Sequence, residues 1–129
     1  MFNVRIIVTT AVTLAISAAA LAVSPLASAK GGDGVRVSGT CTQNSAASLK
    51  LGREDSGIEI EFEVDENRAG VPWRVTLSRN GALAVAKSAT TRAPSGSFTV
   101  RHLVSGTHAT ITAVATRASG ERCTAHASI

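Results

Sequence analysis

The chain has 129 residues, 44% of them hydrophobic, a formal net charge of +4 at pH 7, three Phe, one Trp and no Tyr. That length holds one domain around one core, and the large apolar residues (Val, Ile, Leu, Phe, Trp) number only 21 among the 100 from Lys30 to Ile129. These figures exclude a large cofactor-binding enzyme fold, a multi-span membrane protein and a coiled coil, and they leave a thin core that gains from a covalent staple.

Residues 1–29 carry much of the remaining apolar content and read as an export signal. Arg5 supplies the positive start, Ile6 to Val23 the apolar stretch and Pro25 a helix break. Ala27-Ser28-Ala29 then offers the small side chains that a signal peptidase pocket admits. Cleavage is expected between Ala29 and Lys30, giving a secreted chain with no stable membrane insertion. No Cys stands near the site and no tandem Arg precedes the apolar stretch, so neither lipoprotein nor twin-arginine export is indicated. Lys30 to Gly34 is a polar, glycine-rich start expected to be flexible, and the domain is read as 35–129.

An oxidising exterior favours a disulfide between the two cysteines, Cys41 and Cys123. Closing so long a loop is worth roughly 4–5 kcal/mol as an upper figure. Without CxxC spacing the pair does not read as a redox dithiol or a metal site, and no cofactor is indicated.

From Val35 onward, apolar residues recur with period two in short runs separated by turn residues. Val35 and Val37 lead to Cys41, and Leu49 and Leu51 form a second run. Ile58, Ile60, Phe62 and Val64 alternate with Glu59, Glu61 and Glu63, and Trp73, Val75 and Leu77 alternate with Arg74, Thr76 and Ser78. Leu83 and Val85 follow an Asn80-Gly81 turn, and Phe98 and Val100 follow Pro94-Ser95-Gly96. A Thr/Ala-rich run from Ala109 to Thr116 and a last run around Cys123 complete the chain. Seven or eight short strands at this spacing predict an all-β antiparallel sandwich or barrel. No stretch sustains a helical period.

Two registers follow from keeping apolar residues on one face. A three-residue loop Arg79-Asn80-Gly81 pairs Leu77 with Leu83 and Val75 with Val85. By the same logic the preceding hairpin pairs Val64 with Trp73 and Phe62 with Val75, setting Glu63 opposite Arg74.

Charge is unevenly distributed. Seven of the nine acids fall within residues 54–66, which contain no Lys or Arg. Glu59, Glu61 and Glu63 are therefore a candidate acidic interaction face for a cation or basic partner, although alternating Glu is also how an exposed strand face resists aggregation. Asp65 to Gly70 meets a calcium loop only in part, since Ala69 and Thr76 lack the required ligands, and a turn between strands accounts for the same residues. The Arg residues are scattered, with no aromatic clustering, which argues against nucleic acid as a partner. His102, His108 and His126 are separated and sit in no nucleophile or metal motif, so no catalytic residue is assigned.

Val37-Ser38-Gly39-Thr40-Cys41, Ile58 to Asp65, Asn67-Arg68, Trp73-Arg74-Val75 and Pro94 to Phe98 resemble small secreted actinobacterial proteins of unknown function. The resemblance covers nearly all of the chain after the signal and implies an immunoglobulin-like sandwich without an activity. It departs from immunoglobulin domains in its disulfide, which ties the chain ends rather than two mid-chain strands. The expected role is a secreted, monomeric, non-enzymatic binding or structural module whose partner is an extracellular protein or a cell-wall polymer. The alternatives are a small-ligand carrier, which needs an apolar cleft, and a protease inhibitor presenting the Ala89–Ser97 stretch.

Overall fold

The computed structural model describes residues 34–129, so the expected export signal, its expected cleavage site between Ala29 and Lys30, and the chain up to Asp33 lie outside the described residues. The described chain is all strand: β1 Val35–Ser38, β2 Thr40–Cys41, β3 Ala46–Glu54, β4 Gly57–Asp65, β5 Pro72–Arg79, β6 Ala82–Thr90, β7 Ser97–Ser105, β8 Thr110–Arg117 and β9 Arg122–Ser128. They form two antiparallel sheets, ordered β1-β3-β4-β7 and β2-β9-β8-β5-β6. There are nine strands because the first apolar run divides at Gly39. Before Gly39 the chain pairs with β3, Val37 opposite Leu49, and after it with β9, Cys41 opposite Cys123. A Cβ at Gly39 would lie 2.8 Å from the Thr124 carbonyl oxygen and 3.0 Å from Ala47 Cβ, so only glycine permits the switch.

The period-two residues of the sequence meet in one core. The four-stranded sheet supplies Leu49, Leu51, Ile58, Ile60, Phe62 and Val64, all fully buried, while β8 and β9 oppose them largely with Ala113, Ala115, Ala125 and Ala127. Large side chains from one sheet thus fill the space left by small ones from the other, which is how so few aromatics close the interior. Trp73 is the largest buried side chain and packs against Phe98 with ring centroids 6.1 Å apart. Cys41 and Cys123 form the disulfide, joining neighbouring strands of one sheet across a sequence separation of 82. Such a bond is compatible with an extracellular location.

Both predicted registers require correction. β4 and β5 do not pair: β4 lies between β3 and β7, with Val64 opposite Phe98 and Glu63 opposite Thr99, while β5 lies in the other sheet. Residues 66–71 carry the chain across the sandwich, so Val64 and Trp73 belong to opposite sheets and Glu63 cannot meet Arg74. The β5–β6 hairpin closes through a two-residue turn, Asn80-Gly81, with both φ angles positive at 49° and 84°. That turn matches the strand twist better than a three-residue loop. A bulge at Ala84 then places Leu77 opposite Val85 and Val75 opposite Lys87, and it turns Leu83 to the outer face, 65% exposed.

Candidate functional site

The strand register sorts the charges onto two different surfaces. Glu59, Glu61 and Glu63 share the outer face of the four-stranded sheet, each in a cross-strand row. One row runs Arg36, Lys50, Glu61, Arg101. Arg101 Nε donates to Glu61 Oε1 at 2.9 Å, and Lys50 Nζ is 3.9 Å from Oε2. The hydrogen bond from Arg101 is the main reason the Glu61 carboxyl is held below its ordinary pKa. Glu63 accepts a bond from Thr99 Oγ1 at 3.4 Å, and Glu59 stands between Gly52 and Leu103. Bases from three other strands therefore border a strand that is purely acidic in sequence.

The outer face of the five-stranded sheet is different in kind. Across it run the rows Arg122, Thr116, Arg74, Ser88; then Thr40, Thr124, Val114, Thr76, Ala86; then His126, Thr112, Ser78, Leu83; and finally Ser128, Thr110. No Asp or Glu occurs in these rows. Hydroxyls recur about 4.8 Å apart across strands and roughly 6.7 Å along them. Thr110 Oγ1 and Ser128 Oγ are 2.8 Å apart, and Thr112 Oγ1 and His126 Nδ1 are 3.0 Å apart. Among the described residues no carboxylate shares the face to orient His126 in the manner of a catalytic triad. At its upper corner Arg74, Ser88, Thr116, Arg117, Pro72 and Ala118 border a shallow depression of about 270 Å³.

One end of the sandwich is closed by an ionic cluster around buried Glu121. Glu121, fully buried, accepts hydrogen bonds from Ser45 N at 3.0 Å, Ser45 Oγ at 2.8 Å and Arg117 Nε at 3.0 Å. The same Arg117 Nε is 3.2 Å from Glu66 Oε2, which also accepts the Trp73 indole N–H at 3.2 Å. The Arg117 guanidinium lies over the Trp73 ring, 5.6 Å from its centroid. Three separate connections, β2–β3, β4–β5 and β8–β9, are thereby tied beside the disulfide. The donor atoms of Cys41, Cys123 and Glu121 lie within 4.8 Å of one another. However, the sulfurs are bonded together and the carboxylate is already filled by three donors, so this set does not suit a metal ion.

Burial pushes the Glu121 carboxyl upward, but the Ser45 and Arg117 hydrogen bonds outweigh it and hold its pKa below the ordinary 4.5. A depressed folded value stabilises the fold above the unfolded pKa, and that stabilisation is lost as pH falls through the folded one. Urea midpoints are accordingly expected to fall between about pH 5 and pH 3. In Glu121→Gln that acid dependence is expected to shrink to the small share left by half-buried Glu61. An unchanged acid limb would show that Glu121 does not carry it.

No local pattern in the sequence marks this cluster. Glu66 stood inside the acidic run, and nothing local distinguished it from its exposed neighbours. Glu121 had one legible signal, its isolation from that run two residues before Cys123, but burial arises only when Ser45 and Arg117 converge on it.

Between the free edges of β6 and β7 lies a groove of about 420 Å³, bordered by Lys87, Ala89, Arg92, Phe98 and Val100 among others. The segment that follows β6 is tied down at both ends. Buried Thr91 accepts from Val71 N through Oγ1 and donates to the Arg68 carbonyl at 2.6 Å, while Arg92 and Ser97 form a bridge that closes the turn. Asp65 Oδ1 caps Asn67 N at 2.9 Å, making the Asp65 to Gly70 segment a turn between strands. His102 sits half-buried on the Phe98 and Val100 side of β7, and the carbonyl of exposed His108 accepts from Arg79. Comparison with protein families, with curated proteins and with solved structures finds no match to this chain.

Proposed function

We propose that the protein is an exported, non-enzymatic binding module that adheres to a polyhydroxylated, anionic cell-envelope polymer through the outer face of its five-stranded sheet. The observation that carries this reading is the composition of that face: two arginines, an array of hydroxyls and no carboxylate. Guanidinium groups fit phosphate or carboxylate oxygens in paired hydrogen bonds. Ser and Thr hydroxyls serve as donor or acceptor toward sugar or polyol hydroxyls. A flat surface suits an extended chain, and repeated weak contacts along a polymer add up through effective concentration. Export through the signal ending at Ala29 would bring the domain to such a polymer, and the disulfide agrees with that compartment.

An immunoglobulin-like type is part of the same proposal. The first strand shared between two sheets and the 4-over-5 layout support it. The β3–β4 hairpin departs from it, because successive strands B and C of an immunoglobulin domain lie in opposite sheets. A ligand carrier draws less support, since Phe98 and Val100 under the lateral groove are only 6% and 1% exposed and the rim is polar.

The mature protein is expected to bind poly(glycerol phosphate) on beads saturably, with affinity falling as salt screens the attraction. Reversing both charges, Arg74→Glu with Arg122→Glu, is expected to weaken binding by at least about tenfold, whereas Glu59→Gln with Glu63→Gln on the other sheet leaves it in place. Binding that survives the arginine reversals would exclude this face, and absence of binding would remove the reading altogether.

A further inference from the structure

The smaller sheet is one strand short of the larger one. β6 is the outermost strand of the five-stranded sheet, and seven of its nine residues are exposed on both faces. Its inner register, Val85, Lys87 and Ala89, continues that of Leu77, Val75 and Trp73, yet Lys87 is exposed because among the described residues no strand of the other sheet covers it. The uncovered place lies beside β7, where a fifth strand of the smaller sheet would run.

Sheet edges differ in how they are protected against pairing with another chain. β1 and β2 are short, with four and two residues. β6 carries the Ala84 bulge and the inward-register Lys87. β7 has none of these devices: it holds nine residues in unbroken register with β4, contains no Pro, and turns its one Lys or Arg, Arg101, outward to Glu61. Apart from the Ser97 carbonyl, which accepts from the Arg92 N–H at 2.9 Å, no strand among the described residues pairs with this edge, and with inner positions Phe98, Val100, His102 and Val104 it is a ready acceptor for strand addition.

We infer that β7 accepts an extended acidic segment of another protein, which completes the smaller sheet and covers the inner face of β6. The charge of the groove selects the occupant. Among the described residues Lys87 and Arg92 line it and no Asp or Glu does, so an inward acidic side chain on the added strand meets Lys87. A second copy of this chain is a poor occupant. Its acidic strand β4 is already paired on both sides, and its own β6 and β7 edges would bring Lys87 or Arg101 against like charge. The surface is separate from the polymer-binding face and does not depend on that reading.

The probe is a blocked octapeptide alternating Glu and Val, with an octapeptide alternating Lys and Val as control, followed by amide hydrogen exchange on the mature domain. The Glu/Val peptide is expected to protect alternate amides of Ser97–Ser105 and to bind at least about tenfold more tightly than the Lys/Val peptide. Lys87→Glu, at an exposed position that leaves the core intact, is expected to abolish that preference, whereas Arg74→Glu with Arg122→Glu leaves it unchanged. Equal binding of both peptides, protection elsewhere than β7, no protection at all, or peptide-independent dimerisation through β7 would each overturn the inference.

Discussion

Trp73→Ala is expected to destabilise the domain by about 3–5 kcal/mol, measured as the shift of the urea midpoint at constant m-value. The cost has two sources. The indole is 2% exposed and packs on Phe98, so truncation leaves a cavity in a core whose β8 and β9 side chains are largely alanines too small to fill it. Its N–H also donates to Glu66, and its ring lies beneath Arg117, so the end cluster loses one donor and one cation contact together. Trp73→Phe, which keeps an aromatic ring but not the N–H, is expected to cost only about 1–2 kcal/mol. A loss below about 1 kcal/mol for the alanine variant would contradict the position of this strand in the core.

Replacing both Cys41 and Cys123 by Ala is expected to cost about 3–4 kcal/mol. The chain-entropy estimate for a bridge spanning 82 positions is near 4.5 kcal/mol. The measured value should be smaller because an unfolded chain retains some compactness. Locally, β2 keeps other ties when the bond is gone: the pairing of Thr40 with Thr124, the Thr42 N–H donating to the Arg122 carbonyl at 3.0 Å, and Ser45 on Glu121. The loss should therefore appear as a lower global midpoint in urea, with β2 remaining paired in the native state by hydrogen exchange. Unchanged stability on removing the bond would mean that the disulfide is not the staple of this thin core.

Strand identity was legible because a half-buried strand writes itself as period-two alternation, and the inward residues from Leu49 to Val100 are the ones that alternation marks. Sheet membership was not legible. Both sheets of a sandwich face the same core, so Val64 and Trp73 point inward whether they pair in one hairpin or face each other across the interior. An apolar pattern cannot separate those cases. The six-residue connection 66–71 is short enough for either, and the crossing is held by Thr91 bonding to Arg68 and Val71, contacts more than 20 positions apart in part. The same degeneracy hid the Ala84 bulge. Keeping Leu83 and Val85 both inward is the natural reading of their alternation, and only the fit of the Asn80-Gly81 turn to the strand twist sends Leu83 outward.

The sites divide in the same way. The disulfide pair followed from reading residues 1–29 as an export signal and from a cysteine count. The acidic residues of β4 were visible as a run, but their neighbours were not, because Lys50 and Arg101 reach Glu61 only through the pairing of β4 with β3 and β7. The acid-free face required four strand pairings to assemble, drawing Thr40, Arg74, Thr112 and Arg122 from distant parts of the chain.

Local pattern settles what each short stretch does, which is to form a strand and expose one side, and the cysteine count ties β2 to β9 through Cys41 and Cys123. Those outcomes depend on neighbours within a few residues and on the chemistry of a single pair. The tertiary fold set which strands became partners, that Glu66 and Arg117 would converge beside buried Glu121, and that the hydroxyls and arginines would gather on one face opposite the acids. It also left β7 as an unblunted edge facing an uncovered β6. Each of these depends on long-range pairing, which the packing of large side chains against small ones across the core selects and which no local pattern encodes.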